Sequence, residues 1–321
     1  MRYLTLLLTM LLLHGCTGAI TTPEESVILA EDGALAADVS SDNTLALISS
    51  VNDGILVWDI TSREKKFQWS HQGEGNNLVT NIHIAPDNSH AVTSDREAFA
   101  IWSLISGEPI GFWRIDESSI RDVAVSNQGR GILVGRGNGK VMFFEHETGR
   151  RIEFLGHQEK INSVALSPNG FYALTGGNDY VAYLWDTRTG QVIHRFPHSS
   201  RVTKVALDDQ GRYAFTADSK RDAIVWDVQS GEMISNLSFI QRQKIFSTAR
   251  FSQDGKYLLT GSPTRRVNLW NIGDGSEHTE WKVTPKKGSR PQSAVVYATG
   301  FLPNNKLLTI SSSGLAEVWS Q

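Results

Sequence analysis

Short runs of apolar residues alternate with polar turns along almost the whole chain, and this pattern predicts strands rather than helices. The segment 156–196 shows it most clearly. Apolar, β-branched or aromatic residues dominate four runs within it, at 164–166, 171–175, 181–185 and 191–196. Each run has the length of a strand and is bounded by Gly, Pro, Asn or Asp, which favour turns. We therefore predict four short antiparallel strands, a to d, in this segment.

An aromatic residue recurs near the end of every predicted strand c. Six of these residues are tryptophans and the seventh is Phe144; the tryptophans are Trp58, Trp102, Trp185, Trp226, Trp270 and Trp319. The gaps along the chain are 44, 42, 41, 41, 44 and 49 residues. A period of about forty residues is typical of β-propellers, in which each repeat forms one four-stranded blade. The spacing predicts an all-β fold, a seven-bladed β-propeller of four-stranded antiparallel blades, over residues 26–321.

The two ends of this region predict how the ring closes. Trp319 lies two residues from the end of the chain, so the seventh repeat has no strand d of its own. The apolar segment 26–30 precedes the first strand a, at 36–39, where a strand d would be expected. We predict that this N-terminal strand completes blade seven, which leaves only short outer edges exposed.

The repeats resemble the WD-repeat family of propellers over roughly residues 26–321, and blade four matches best. Its motif residues are Gly156-His157 at the start, Asp179 in the turn between strands b and c, and Trp185-Asp186 at the end of strand c. The resemblance implies a structural hydrogen-bond network inside the blade. Its members would be His157, Thr175, Asp179 and Trp185, which satisfy one another where burial would otherwise be costly.

The other blades depart from this motif, so the resemblance there depends on count and spacing. The position six residues before the aromatic is Lys220 in blade five, Thr264 in blade six and Ser313 in blade seven. The family resemblance implies a protein–protein interaction scaffold rather than an enzyme.

The N-terminus predicts export and lipid attachment. Arg2 precedes a ten-residue apolar run at 4–13, too short to span a membrane and typical of a signal peptide. The segment LHGC, which ends at Cys16, resembles the lipobox of bacterial lipoproteins, although His14 departs from that pattern. We predict a signal peptide at 1–15 and a lipidated tether at 16–25 attached through Cys16. An ordinary secreted or cytosolic protein with a free thiol is the alternative.

The same resemblance predicts a location in the bacterial cell envelope. Thr17 stands where an Asp would signal retention in the inner membrane, so we expect a protein of the outer membrane that faces the periplasm. Cys16 is the single cysteine of the chain, which excludes an intrachain disulfide. Two or more acyl chains at this cysteine would anchor the protein stably.

Charge and motif content argue against several function classes. The net charge of −3 and the pI of about 6.3 do not favour a nucleic-acid binder. The glycine-rich segment 135–140 lies between two predicted strands with no helix after it, so we interpret it as a turn rather than a phosphate-binding loop. The sequence also lacks the G-x-S-x-G and H-E-x-x-H patterns. We expect no enzymatic activity, no cofactor and no metal site.

Charges differ between parts of one propeller face. The loops from strand d to the next strand a, and from strand b to strand c, share a face that we call the top face. Blades five to seven place many basic residues in these loops: Arg201, Lys220, Arg221, Arg242, Lys244, Arg265, Arg266, Lys286, Lys287 and Arg290. The corresponding loops of blades two to four carry Glu74, Asp116, Glu117 and Glu159.

We interpret this basic arc as a candidate binding surface for an acidic partner, either a protein surface or a phosphorylated envelope glycolipid. A solvated face that balances charge elsewhere is the alternative. The insertion 284–293 accounts for the longest gap between aromatics and adds basic residues to the arc.

The sequence therefore predicts an envelope lipoprotein that acts as a scaffold through its top face, as a monomer or as part of a hetero-complex. The alternative is an envelope enzyme or a small-ligand sensor that uses the central channel. Ionisable groups that converge in the channel would favour the alternative, whereas small apolar side chains would favour the scaffold.

Overall fold

The computed structural model describes residues 19–71, 78–239, 244–290 and 292–321. Within these ranges the chain forms seven four-stranded antiparallel sheets, and the predicted seven-bladed propeller is confirmed. The strands of successive blades follow one another in chain order, and each strand a contacts the strand a of a neighbouring blade around the central channel.

The strands are numbered along the chain, beginning with β1 (Glu25–Ile28). Blade one contains β2 (Ala34–Val39), β3 (Leu45–Ser50), β4 (Gly54–Asp59) and β5 (Glu64–Trp69). Blade two contains β6 (Asn81–Ile84), β7 (His90–Ser94), β8 (Ala98–Ser103) and β9 (Pro109–Arg114). Blade three contains β10 (Ile120–Val125), β11 (Ile132–Arg136), β12 (Val141–Phe144) and β13 (Arg151–Phe154).

Blades four to seven repeat this order. Blade four contains β14 (Ile161–Leu166), β15 (Tyr172–Gly177), β16 (Val181–Asp186) and β17 (Val192–Pro197). Blade five contains β18 (Val202–Leu207), β19 (Tyr213–Asp218), β20 (Ala223–Asp227) and β21 (Met233–Asn236). Blade six contains β22 (Thr248–Phe251), β23 (Tyr257–Gly261), β24 (Arg266–Asn271) and β25 (Glu277–Lys282). Blade seven contains β26 (Val296–Leu302), β27 (Lys306–Ser311) and β28 (Leu315–Ser320), together with β1.

Both faces of a blade are buried, because successive side chains of a strand point to opposite faces. In blade four, Leu174 and Leu184 pack with Val205 of blade five. On the other face, Trp185 packs with Phe143 of blade three. The hydrophobic core is therefore a series of layers between blades, and each layer needs two blades to form.

The predicted closure of the ring is confirmed. β1 pairs antiparallel with β28, with Glu25 opposite Val318 and Ile28 opposite Leu315. Blade seven thus takes its strand d from the N-terminus and its strands a to c from the C-terminus. Val27 packs against the apolar layer between blades seven and one.

The chain is already bonded to the ring before β1 begins. The backbone of Ile20 pairs with β25: its N–H donates to Glu280 O at 2.9 Å, and its carbonyl accepts from Lys282 N at 2.8 Å. Glu24 N then donates to Val318 O at 2.8 Å. The second half of the segment predicted as a tether therefore lies along blades six and seven. Cys16 and the predicted signal peptide lie outside the described residues.

Strand a begins earlier than the sequence pattern predicts. The apolar run of blade four predicts strand a at 164–166, whereas β14 begins at Ile161. The register with β15 shifts between Ile161 and Ser163, which indicates a β-bulge at Asn162. The polar bulge residue interrupts the apolar run, so the pattern hides the first half of the strand.

Two local features agree with the sequence analysis. The glycine-rich segment 135–140 forms the end of β11 and the turn that leads to β12. In the part of the chain that the structure describes, the one helical element is a 3₁₀ turn at Asn127–Gly129. No helix among these residues has the length and apolar character needed to cross a membrane.

Candidate functional site

Five cations of the predicted basic arc are exposed on the top face of blades five to seven. They are Arg201, Lys220, Arg221, Lys287 and Arg290. None of the five forms an ion pair with another described residue. Lys220 makes one long contact, from Nζ to Ser199 O at 3.5 Å. An exposed cation that has no internal partner keeps its charge available to a ligand.

Three further members of the arc are bonded within the molecule. Arg265 is half-buried, and its Nε donates to Val283 O at 2.8 Å. Arg266 is paired with Glu280 of β25. Lys286 is exposed, but its Nζ donates to Asp32 O at 2.5 Å and so joins the insertion 284–293 to the loop before β2. The bonds of these three residues join parts of the ring, so their charges are less available to a ligand than those of the five unpaired cations.

The prediction that Lys244 belongs to the exposed arc is wrong. Lys244 is only 5% exposed and does not belong to the surface. Its Nζ lies 4.4 Å from the ring centroid of Trp270 and about 5.5 Å from that of Phe239. The apolar stem is buried, and the ammonium lies over aromatic faces that offset part of the cost of burying its charge. Arg242 lies outside the described residues.

The acidic side of the top face is partly neutralised. Glu117, in the loop before β10, forms ion pairs with Arg136 at 3.2 Å and Lys140 at 3.5 Å. The Arg136 side chain is fully buried and also contacts Glu153 at 2.7 Å. Asp116 and Glu159 are exposed, and Glu74 lies outside the described residues. On the top face, five exposed cations of the arc are unpaired among the described residues, whereas one of the acids, Glu117, is paired with neighbouring cations.

In blade four, three of the four residues in the network that the family resemblance implies are hydrogen-bonded to one another. His157 Nδ1 lies 2.9 Å from Asp179 Oδ2, and His157 Nε2 lies 2.9 Å from Thr175 Oγ1. Trp185 is fully buried and stacks on Phe154 at a centroid distance of 4.7 Å. Its Nε1 has no hydrogen-bond partner in the described part of the chain, so it contributes packing rather than a hydrogen bond.

Blade two contains a similar network that the sequence analysis missed. His71 Nε2 lies 2.8 Å from Thr93 Oγ1, and the same oxygen accepts a hydrogen bond from Trp102 Nε1 at 2.8 Å. Asp95 lies 3.5 Å from His71 Nδ1. The carboxylate stands seven residues before the tryptophan rather than six, so a search at one fixed position does not find it.

Blade five contains a third network. His198 Nε2 lies 2.8 Å from Thr216 Oγ1, and Trp226 Nε1 donates to this oxygen at 2.7 Å. His, Thr and Trp have the same spacing here as in blade four, with 18 residues from His to Thr and ten from Thr to Trp. This spacing is the signal that could have revealed the network.

Blade five is also where the described residues bring together groups that could hold a metal ion. His198, Asp218 and Asp222 offer ligand atoms within 4.8 Å of one another. Burial lowers the pKa of His198, and the two carboxylates oppose this shift. However, Asp218 Oδ1 already accepts three backbone N–H groups, and Ser199 Oγ contacts both carboxylates. These hydrogen bonds give the cluster a structural role in the turn.

The central channel contains ionisable groups rather than small apolar side chains alone. Asp38, His83, Asp122, Lys204 and Arg250 belong to the inner strands β2, β6, β10, β18 and β22. Asp38 Oδ2 accepts from Ile84 N at 2.8 Å, and Asp122 Oδ2 accepts from Val164 N at 2.9 Å. Each of these two carboxylates thus joins its own strand a to that of the next blade.

The three other channel groups, His83, Lys204 and Arg250, have different environments. Arg250 reaches from blade six to blade one, where Nη2 donates to Val39 O at 2.7 Å. Burial lowers the pKa of His83, and the nearby Lys204 and Arg250 add to this effect against Asp38 and Asp122. Lys204 Nζ has no hydrogen bond or ion pair with the residues that the structure describes. The channel therefore keeps one cation available beside a histidine that favours its neutral form.

These observations define a class of protein: a seven-bladed propeller of the WD-repeat type, with His–Thr–Trp networks in its blades. The family model described as eukaryotic translation initiation factor eIF2A matches residues 60–224, just over half of the chain. The model described as WD domain, G-beta repeat, matches residues 237–271. The chain belongs to the eIF2A family of WD-repeat propellers. Comparison with curated proteins finds no significant match.

The blade networks predict a difference between two threonine substitutions. Thr93→Val removes an oxygen that contacts His71 and Trp102, and should lower the free energy of unfolding by about 2 kcal/mol, since buried partners stay unsatisfied. Thr299→Val removes a buried hydroxyl that has no partner among the described residues, and should be neutral or stabilising. Chemical denaturation measures both values. Equal destabilisation by the two changes would contradict this interpretation.

The lowered pKa of Lys244 predicts that the free energy of unfolding depends on pH in the alkaline range. Burial lowers the pKa of Lys244 from 10.5 to about 8, with partial opposition from Glu277 and Glu280. Between these two pH values the unfolded chain binds the proton and the folded chain does not, so the free energy of unfolding should rise with pH. The shift corresponds to ~3 kcal/mol. Lys244→Met should remove this rise and stabilise the fold at pH 7.

Denaturant titrations of the wild type and Lys244→Met from pH 7 to pH 10.5 measure this difference. Lys287→Met is the matched control, because Lys287 is exposed and should follow the wild-type curve. Parallel curves for the wild type and Lys244→Met would show that Lys244 has an ordinary pKa.

Proposed function

We propose that this protein is a lipid-anchored scaffold of the bacterial envelope that binds a protein partner through the top face of its propeller. The five exposed, unpaired cations on blades five to seven carry this proposal. Like charges concentrated on one part of a surface favour encounter with a partner of opposite charge. The partner is therefore an acidic protein surface, and the propeller acts as a monomer or within a hetero-complex.

The predicted lipid anchor would hold the ring close to the membrane. Ile20 is bonded to β25, so only residues 17–19 separate the predicted attachment site at Cys16 from the docked chain. Four residue steps span at most ~14 Å. Docking of this segment shortens the tether relative to the sequence prediction. A short tether supports a ring held near the lipid, and Thr17 after the predicted attachment site is what favours the periplasmic side of the outer membrane.

The name of the matched family speaks of translation initiation, and we do not extend that activity to this chain. Its net charge of −3 gives no general attraction to RNA. The predicted signal peptide also directs the protein out of the compartment where translation occurs. We propose no nucleic-acid partner.

A second candidate function is a small-ligand sensor that uses the central channel. The observation that favours it is the unpaired Lys204 beside His83. Asp38, Asp122 and Arg250 bond the backbones of other blades, and this structural role accounts for most of the channel charge. We therefore rank this candidate below the scaffold.

Charge reversal tests the top face. Arg201→Glu, Lys287→Glu and Arg290→Glu, combined in one variant, should reduce the partner that co-purifies from detergent-solubilised envelopes at least about tenfold, because repulsion replaces attraction. The matched control reverses three exposed cations elsewhere, Lys65, Lys66 and Arg130, with the same change in net charge. Equal recovery of the partner with both variants would exclude the arc as the binding surface.

Removal of the cysteine tests the anchor. Cys16→Ser should abolish lipidation and move the protein from the membrane fraction to the soluble periplasmic fraction. The reason is that the acyl chains on Cys16 are the predicted attachment to the membrane. Fractionation and mass spectrometry of the N-terminal peptide measure the change. An unmodified Cys16, or unchanged membrane association of Cys16→Ser, would contradict the lipoprotein proposal and leave the top-face proposal intact.

A further inference from the structure

The turns between strands b and c of four blades place one residue in a left-handed conformation. It is the residue five positions before the strand c aromatic. Blades three and seven use glycine there, whereas blades four and six use large side chains: Gly139 (φ 83°), Gly314 (φ 80°), Tyr180 (φ 67°) and Arg265 (φ 72°). Glycine adopts this conformation without steric cost, but a residue with a Cβ atom does not.

The backbone of the ring sets this conformation independently of the side chain. His198 N donates to Tyr180 O at 2.8 Å, and Val283 N donates to Arg265 O at 2.9 Å. Leu29 N donates to the carbonyl of the glycine in blade seven, Gly314, at 2.8 Å. Since the glycine turn makes the same bond, glycine would serve in blades four and six without loss of this contact.

Arg265 has an internal reason to be retained. Its Nε donates to Val283 O at 2.8 Å, and its charge stabilises the ionised form of Glu317 against the burial that raises the pKa of this acid. The side chain thus compensates for the strained backbone through contacts with blades six and seven.

Tyr180 has no such compensation. Its side chain makes no hydrogen bond, ring contact or cation–π contact with any other described residue, and the residue is 53% exposed. The turn needs this conformation but not a large side chain, so an exposed aromatic residue held in a strained conformation indicates a role in recognition.

Three of the unpaired cations lie on loops that are hydrogen-bonded, directly or through a neighbouring loop, to the turn that carries this tyrosine. The loop from β17 to β18 joins them: His198 bonds Tyr180, Ser219 N donates to Arg201 O at 3.0 Å, and Lys220 Nζ contacts Ser199 O. Arg221 follows in the same turn. These bonds place the loops that carry Tyr180, Arg201, Lys220 and Arg221 side by side on the top face, and we call these four residues the Tyr180 patch.

We propose that the Tyr180 patch binds an acidic protein segment that carries an apolar side chain. The apolar side chain packs on the Tyr180 ring, while the carboxylates face the three cations. Tyrosine suits this role, because it buries a large apolar area and loses little conformational freedom. The cations are spread over two loops, with Arg201 on one and Lys220 and Arg221 on the other, which favours an extended acidic chain over a single phosphate group. This inference rests on the proposed top-face scaffold and names its central contact.

Photo-crosslinking tests the proposal in the producing cells. Tyr180 is replaced by the photoreactive residue benzoylphenylalanine, with Phe171, an exposed aromatic on the opposite face, as the matched control position. Lys287 is a third position, on the same face but outside the patch. Mass spectrometry of the adducts should identify a protein segment of net negative charge at position 180 and none at position 171. A lipid adduct, or a neutral or basic segment, at position 180 would overturn the proposal.

The pattern of adducts separates this inference from the scaffold proposal. Specific protein adducts at position 287 without any at position 180 would reject the Tyr180 patch and retain the scaffold. Absence of specific adducts at both positions would reject both.

Substitution by glycine separates binding from stability. Tyr180→Gly should leave the melting temperature within about 2 °C of the wild type, or raise it, since glycine relieves the strain. The same change should reduce recovery of the crosslinked partner from position 287 at least about fivefold. Arg265→Gly, at the equivalent position of blade six, should lower the melting temperature, because it loses the contact with Val283. Partner recovery by Tyr180→Gly at the wild-type level would refute the proposal.

Discussion

The burial of both faces of every blade is the constraint on which the rest of the structure depends. Leu184 and Trp185 are adjacent in β16 and pack against opposite neighbours. A blade without a neighbour would expose a complete apolar face, so the ring must close. Closure by pairing of β1 with β28 places the first strand of the ring on the outer edge of blade seven. The position of any membrane anchor is thus a consequence of how the apolar layers are completed.

The ring and its closure could be predicted from the sequence, because both depend on local patterns. Apolar runs, turn residues and the spacing of the aromatics are readable along the chain, and the absence of a strand after Trp319 points to the N-terminal strand. The first half of strand a in blade four was harder to predict. Asn162 at the bulge of β14 is polar although the strand continues through it, and only the pairing with β15 reveals this.

The side-chain networks depend on geometry that spacing alone describes incompletely. In blade five, His198 and Thr216 keep the separation found in blade four, so a search based on this separation would have found them. In blade two, His71 is 22 residues from Thr93 instead of 18, yet its ring nitrogen contacts the equivalent threonine hydroxyl. At Lys244 the sequence is misleading, because a basic residue in a predicted loop indicates a surface charge whereas this side chain is buried. Its burial over Trp270 depends on aromatic residues from separate segments.

The charge contrast on the top face survives in an altered form, and the alteration bears on function. The sequence suggests a basic side and an acidic side, but Glu117 is paired with Arg136 and Lys140. Five exposed cations of the arc, Arg201, Lys220, Arg221, Lys287 and Arg290, have no such ion-pair partner among the described residues. An ion pair at a surface contributes little to stability. Folding alone therefore neither requires these cations to be paired nor favours leaving them unpaired. Unpaired cations and a strained, exposed tyrosine on neighbouring loops are thus features that folding does not require, and the proposed partner contact rests on their combination.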